Sequence, residues 1–210
     1  MTLWLLILAL AAGCSDTPTA PSVWSATEVR QHLLDTNLNH ALAGARARLT
    51  RWRVPIEVNT NNIARAAEAV AHVEEWSGGV IRFTRVLGNP ANGLVFVEGG
   101  ARDVDASCTD VVNAGAMEFA PQWDSASALT GSYIIHLGSD RCADQTKGRY
   151  GTAYAEHILA HALGIFDHFE GFDGPEGLVD AHAFAVVFNL YANPVGASPT
   201  DLVIWPATIR

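Results

Sequence analysis

A segment in the second half of the chain contains histidines at the spacing of metal ligands. His157 and His161 are four residues apart, which on a helix places them about 40° apart around the axis, so both imidazoles can reach one ion. Gly164 allows the backbone to turn sharply out of such a helix. Asp167 can then return to the same ion as an oxygen ligand. Zinc accepts both donor types, so the spacing predicts a zinc site with three protein ligands and one open position for water.

The pattern HxxxHxxGxxD formed by these residues resembles the signature of the metzincin zinc endopeptidases, HExxHxxGxxH, with Asp as third ligand in the snapalysin branch. Upstream segments are similar as well: an Arg-Trp-x-x-Pro strand from Arg51, a helix ending in Glu-Trp-Ser-Gly-Gly at 75–79, and Ile-Arg-Phe at 81–83. The resemblance extends over roughly residues 50–192. It implies a snapalysin-like or matrixin-like zinc metallopeptidase with an α+β fold: a twisted mixed sheet, two main helices and a short C-terminal helical lobe.

The largest departure from the metzincin pattern is Ile158, which stands where the family has its general-base Glu. Ile cannot take a proton from zinc-bound water or deliver one to the leaving amine. Glu156 is close in sequence, but it lies about 120° from the expected metal direction, whereas position 158 lies about 80° away on the other side. Glu156 is therefore a poor substitute for the missing base.

Two further departures concern the third ligand and the floor of the site. Asp167 has the family spacing and is the favoured third ligand, while His168, one residue later, is the alternative ligand or a residue that supports the ligands. Metzincins also place a methionine turn under the metal. The two methionines here are Met1 and Met117, so that turn is either absent or uses another apolar residue such as Leu178.

Three other polar residues have weaker claims to the site. Asp180 and His182 open the last predicted helix and are either supporting ligands or, for Asp180, an ordinary helix cap. His136 lies on a predicted strand that the resemblance would place at the edge that pairs with substrate backbone. A surface role for His136 is the simpler interpretation.

The amino terminus has the pattern of an export signal. Leu3 to Ala12 is an unbroken apolar run, too short to span a membrane, and Leu10-Ala-Ala-Gly-Cys14 resembles a bacterial lipobox. We expect a signal peptide over 1–13, a lipidated Cys14 with a linker over 14–22, and a single domain over 23–210. An ordinary secretory signal is the alternative. Cys108 and Cys142 would then form one disulfide of an exported domain, or remain two separate thiols.

Composition limits the partners. Of 210 residues, 17% are charged and 49% are hydrophobic, which excludes a disordered polyelectrolyte. The formal net charge of -9 makes the chain a poor nucleic-acid binder, because phosphate binding requires clustered Lys and Arg. We expect a monomer with a peptide or protein partner and with membrane contact through the lipid anchor only.

Hydrophobic periodicity and turn residues predict an α+β layout. Ser25 or Thr27 would cap the first helix, Asn61 or Asn62 the second, and Pro55 would push the first strand toward an edge. The predicted helices are 25–50, 63–76, 152–163 and 180–190, and the predicted strands are 52–58, 80–87, 94–97 and 133–137.

Two functions fit these observations. One is an active zinc metallopeptidase in which Glu156, an outside carboxylate or water handles the proton. The other is a catalytically inactive, zinc-binding relative that binds a peptide or protein. Ile158 favours the second, because general acid–base catalysis typically contributes about 10²–10⁴-fold to the rate.

Overall fold

The computed structural model describes residues 25–41, 46–98, 115–118, 121–137, 152–172 and 179–205. In these residues the chain is a mixed α+β protein with four α-helices and a mostly parallel sheet. One continuous apolar core extends from Val29 in the first helix to Leu202 near the end of the described chain. Within the described ranges, no helix is both long and apolar enough to cross a membrane.

The strands are β1 (Ile56–Asn59), β2 (Phe83–Arg85), β3 (Gly93–Glu98), β4 (Gly115–Glu118), β5 (Gln122–Trp123), β6 (Leu129–Thr130) and β7 (Ser132–Leu137). The main sheet has five of these strands in the order β2-β1-β3-β7-β4. Strands β1, β2, β3 and β7 are parallel, and β4 pairs antiparallel with β7 at one edge. A small second sheet pairs β5 with β6.

The helices form two packed pairs. They are α1 (Ala26–Leu33), α2 (Ala64–Trp76), α3 (Thr152–Leu163) and α4 (Ala181–Ala192). Helix α3 packs against α2 and lies against β7 and β4, whereas α1 packs against α4. A π-helical turn, Leu34–Leu38, continues α1, and a 3₁₀ turn, Pro199–Asp201, follows α4.

Several predicted helix boundaries are confirmed. The Ser25 side chain caps α1 in a reciprocal capping box with Glu28. Gly78 (φ 61°) and Gly79 (φ 79°) end α2, and Gly164 (φ 120°) ends α3. These positions could be predicted because capping side chains and left-handed backbone are local properties of the sequence.

The first predicted helix and strand were both too long. The helix ends with the π-helical turn at Leu38 instead of reaching residue 50, and the Asn37 side chain in that turn forms hydrogen bonds with the Thr50 backbone. The strand begins at Ile56, directly after Pro55. Since Pro55 precedes the ladder, it does not force β1 to an edge, and β1 lies between β2 and β3.

Other local predictions were also wrong. Asn61 and Asn62 adopt positive φ (48° and 61°) in the turn before α2, and no side chain caps that helix. The second strand is shorter than predicted, and three short strands, β4 to β6, lie between the predicted strands 94–97 and 133–137, where no element was predicted. Strand β7 is interior rather than an edge, because β4 covers its outer side.

The predictions for the signal peptide, the lipidated Cys14 and the Cys108–Cys142 disulfide lie outside the described residues. So does Leu178, the proposed substitute for the methionine turn. They remain predictions from sequence.

Candidate metal centre

Three histidines converge at the end of α3. The Nε2 atom of His168 is 3.1 Å from Nε2 of His157 and 3.2 Å from Nε2 of His161. The His161 ring is nearly perpendicular to the other two, at 79° and 83°. Each side chain offers one nitrogen, and the three nitrogens all lie within 4.8 Å of one another. In the part of the chain that the structure describes, this is the group of His, Cys and acidic side chains that could hold a metal ion.

The spacing of these nitrogens fits a tetrahedral ion. Zinc–imidazole bonds are about 2.0–2.1 Å long, so two ligands of a tetrahedral zinc are about 3.3 Å apart. The two measured separations from His168 are close to that value. The donor set also suits zinc, since neutral imidazole is one of its ordinary ligands.

The hydrogen bonding of His161 directs an unprotonated nitrogen to this point. The His161 Nδ1 atom lies 2.6 Å from the Ile165 carbonyl oxygen, which can only accept a hydrogen bond. Nδ1 therefore donates, and the lone pair of Nε2 faces the other histidines. A ligating histidine is commonly held by such a bond from its second nitrogen. Nδ1 of His157 is buried and has no hydrogen-bond partner among the described residues.

Burial keeps two of the imidazoles neutral. Desolvation, followed by the nearby His161 and His168, lowers the pKa of His157 to about 3. Desolvation also lowers the pKa of His161 to about 4, although its bond to the Ile165 carbonyl opposes that shift. Both side chains are therefore uncharged at neutral pH and available as ligands.

The end of α3 is held by side chains from three other elements. The last carbonyls of a helix have no partner within the helix. Here the indole of Trp52 donates to the Ala162 carbonyl at 2.8 Å, and the Tyr191 hydroxyl donates to the Leu163 carbonyl at 3.0 Å. The amide of Asn37 donates to the Gly164 carbonyl at 2.6 Å. The backbone that leads from His161 toward His168 is therefore fixed from several sides.

A phenylalanine forms the apolar floor of the cluster. The ring of Phe172, which is fully buried, stacks on His157 with centroids 4.4 Å apart and meets the His161 ring edge-on at 4.9 Å. Leu178, one possible substitute for the methionine turn, lies outside the described residues, and the role of Phe172 was not predicted. The available signal was the regular three-residue spacing of Phe166, Phe169 and Phe172 after Gly164.

The structure brings the alternative third ligand, His168, to the pair of helix histidines, and Asp167 is not a member of that group. The Asp167 carboxylate instead accepts the His168 backbone N–H at 2.9 Å. It also lies 3.9 Å from His40 Nε2, and its side chain is 64% exposed. The close spacing of Asp167 and His168 in sequence could not separate these two arrangements.

Neither residue beside His157 on α3 offers a free acid–base group. Ile158 is buried in the core. The Glu156 carboxylate lies 2.6 Å from Nδ1 of His72 on α2. One turn earlier, Thr152 donates to Glu68 of α2 at 2.6 Å. Glu156 thus belongs to a pair of contacts that join α2 to α3.

The structure also shows the contacts and positions of the three residues with weaker claims to the site. Asp180 caps α4 by accepting the backbone N–H groups of His182 and Ala183, as the cap interpretation expected. His182 Nδ1 lies 3.1 Å from the Asp180 carboxylate. His136 lies on β7, which is interior to the sheet, so the predicted role of that strand as an edge is wrong.

No protein-family model matches this chain, and a search of curated proteins finds no match either. The metzincin resemblance therefore depends on the residues quoted above.

Proposed function

We propose that this chain is an exported, zinc-binding, metallopeptidase-like domain. The observation that supports it is the convergence of three imidazole nitrogens from one helix and the loop that follows it. Two come from neighbouring turns of α3, and the third returns after the turn at Gly164. A mixed sheet with two packed main helices also agrees with the fold that the metzincin resemblance implies.

In this proposal the chain's own residues supply binding and orientation. His157, His161 and His168 would hold zinc. The Ile165 carbonyl orients His161, and the Phe172 ring packs against the rings of His157 and His161. Zinc bound at such a site would acidify a water molecule, lowering its pKa to about 7. Three protein ligands leave a tetrahedral ion one position for that water or for a carbonyl oxygen of a ligand.

The contacts of the neighbouring residues favour the catalytically inactive version of this function. Peptide hydrolysis needs a group that moves a proton to the leaving amine. Ile158 has no such group, and Glu156 is paired with His72 of α2. We therefore propose that the domain binds zinc together with a peptide or protein, and does not hydrolyse it at a rate typical of peptidases.

Metal analysis of the purified protein tests the zinc site. We expect about one zinc per chain in wild type, and loss of zinc in His161→Ala and in His168→Ala, because each substitution removes one of three nitrogen ligands. Asp167→Ala is the matched control, since it changes the adjacent exposed side chain and should leave zinc content unchanged.

Each alternative gives a different result. Absence of zinc in wild type, even after incubation with zinc, would overturn the proposal. Zinc lost in Asp167→Ala and retained in His168→Ala would keep the metal site but make Asp167 the third ligand. Peptide cleavage by wild type that a chelator abolishes would overturn the inactive version.

Export and anchoring form part of the same proposal. They are supported by the apolar run at Leu3 to Ala12 and by the lipobox-like sequence before Cys14. We expect the wild-type protein in the membrane fraction and Cys14→Ser in the soluble fraction, because the thiol is the predicted attachment point. Equal fractionation of the two would exclude lipidation at Cys14.

A further inference from the structure

We propose that Asn37 is a positioning residue of the metal centre, although it lies far upstream of the three histidines. Its side chain holds the turn that joins His161 to His168, and through that turn it sets the separation of the ligand nitrogens. The inference rests on the proposed zinc-binding function, and it assigns a specific role to the π-helical turn that follows α1.

Asn37 uses its whole side chain to join two segments. Its Nδ2 donates to the Thr50 carbonyl at 2.7 Å and to the Gly164 carbonyl at 2.6 Å. Its Oδ1 accepts the Thr50 backbone N–H at 2.9 Å. The side chain is fully buried, so water does not compete for these bonds.

The π-helical turn provides the position from which Asn37 can reach Gly164. The Asn39 N–H bonds to the Leu34 carbonyl at 2.9 Å, five residues back, and this widens the last turn after α1. Such turns are frequent at functional sites. The same turn offers a second contact, because the Thr36 carbonyl accepts the Phe166 N–H at 2.9 Å.

These two contacts enclose the residue that orients a ligand. Gly164 and Phe166 are held on either side of Ile165, and the Ile165 carbonyl accepts a hydrogen bond from His161 Nδ1. His168 follows two residues after Phe166. A shift of this segment therefore changes both the direction of the His161 ring and the position of the third nitrogen.

The chain contains a matched control for this residue. Asn193 is also a fully buried asparagine, and its side chain makes the same three kinds of bond. Its Nδ2 donates to the carbonyls of Asn189 and Val203 at 2.8 and 2.9 Å, and its Oδ1 accepts the Val203 N–H at 2.9 Å. These bonds join the end of α4 to the C-terminal segment and touch no histidine of the cluster.

The experiment measures zinc affinity and the visible absorption of the cobalt-substituted protein in wild type, Asn37→Ala and Asn193→Ala, each as the full chain. We expect Asn37→Ala to bind zinc about 10–100-fold more weakly, the range typical for loss of a residue that supports metal ligands. We also expect its cobalt spectrum to lose the intensity of a tetrahedral site. Asn193→Ala should lower thermal stability but keep both the affinity and the spectrum of wild type.

The results separate this inference from the zinc proposal. Failure of wild type to bind zinc or cobalt overturns the proposed function itself. Zinc binding by wild type with equal affinity and spectrum in Asn37→Ala overturns the role of Asn37 alone. Equal losses in Asn37→Ala and Asn193→Ala would also overturn it, because the effect would then follow general destabilisation.

A milder substitution keeps the test decisive if Asn37→Ala does not fold. Asn37→Ser keeps a polar group, although its hydroxyl lies one bond closer to the backbone than the amide atoms, and should show a smaller loss of affinity in the same direction. If neither variant folds while Asn193→Ala does, Asn37 serves the fold as a whole, and the specific role is overturned.

Discussion

At the scale of the residue, position 158 determines what the proposed zinc site can do. It is the neighbour of His157 on α3, and a carboxylate there would face the substrate side in the enzymes that this chain resembles. Ile158 is only 8% exposed and is part of the apolar core. The proposed site therefore has three nitrogen ligands for zinc, while position 158 offers no group that can exchange protons with a bound water.

Replacing Ile158 by Glu should create peptidase activity. We expect the rate of peptide cleavage by the zinc-loaded protein to rise by about 10²–10⁴-fold, the usual contribution of general acid–base catalysis. A quenched fluorescent peptide library measures this rate, and a chelator should abolish it. Ile158→Gln is the control, because glutamine has nearly the same size and shape as glutamate but cannot act as a base at neutral pH.

Circular dichroism of both variants is needed, since each places a polar group at a buried position. Equal activity of folded Ile158→Glu and Ile158→Gln would contradict the argument that only the base is missing.

At the scale of the element, the important unit is the turn that leaves α3 at Gly164. Its φ of 120° is a conformation that side-chain-bearing residues rarely adopt. A Cβ atom there would lie 2.9 Å from the Thr50 carbonyl oxygen and 3.2 Å from Nδ2 of Asn37. Two independent features, the backbone angle and the close approach of a neighbouring segment, therefore require glycine.

Gly164→Ala should lower the free energy of unfolding by more than the cost of backbone strain alone. Backbone strain at such a position costs about 1–3 kcal/mol, and displacement of Thr50 and Asn37 adds to it. Gly78→Ala is the matched control, because Gly78 also has positive φ (61°) but has nothing within 4 Å of the added atom. Urea denaturation of both variants measures the difference, and equal losses would show that the contact with Thr50 is unimportant.

The same turn shows how far the sequence could predict the site. His157, His161 and the role of Gly164 follow from local rules, since helix periodicity and glycine at a helix end depend on neighbours in sequence. The loop that carries both His168 and Asp167 is held by Asn37 and Thr36, and these contacts join residues distant in sequence. No local pattern could have predicted them.

The fold also has features that local sequence predicts and features that it does not. The α+β class, the boundaries of α2 and α3 and the cap at Ser25 were predictable from periodicity and capping. The position of β1 inside the sheet was not, because Pro55 restricts a strand only where its missing N–H would join a ladder. The interior place of β7 depends on pairing with β4, which the sequence did not indicate.

At the scale of the whole molecule, two buried imidazoles link stability to pH. The folded pKa values of His157 and His161 are about 3 and about 4, whereas histidine in an unfolded chain has a pKa of about 6.5. Between these values the unfolded chain binds more protons than the folded protein. Protonation therefore favours unfolding as the pH falls below about 6.5, and above that pH the two histidines have no effect.

We expect the metal-free protein to lose stability from pH 7 to pH 5, by at most about 1.4 kcal/mol per pH unit for each histidine. Urea denaturation of chelator-treated protein at several pH values measures this slope. His161→Ala should show a shallower slope, because it removes one of the two groups. An identical slope in the variant would assign the pH dependence to other residues.

The bond between Asn37 and the Gly164 carbonyl joins residues 127 positions apart. During synthesis, the segment that contains Asn37 is made long before the histidines, and until they arrive its side chain can bind only Thr50. A fragment confined to 152–172 would contain all three imidazoles without the contact that spaces them. On this account zinc would bind after the segments around Asn37 and Gly164 have come together, unlike a zinc finger, where the ion drives folding of a short chain. Occupancy of the proposed centre would then report that this contact has formed.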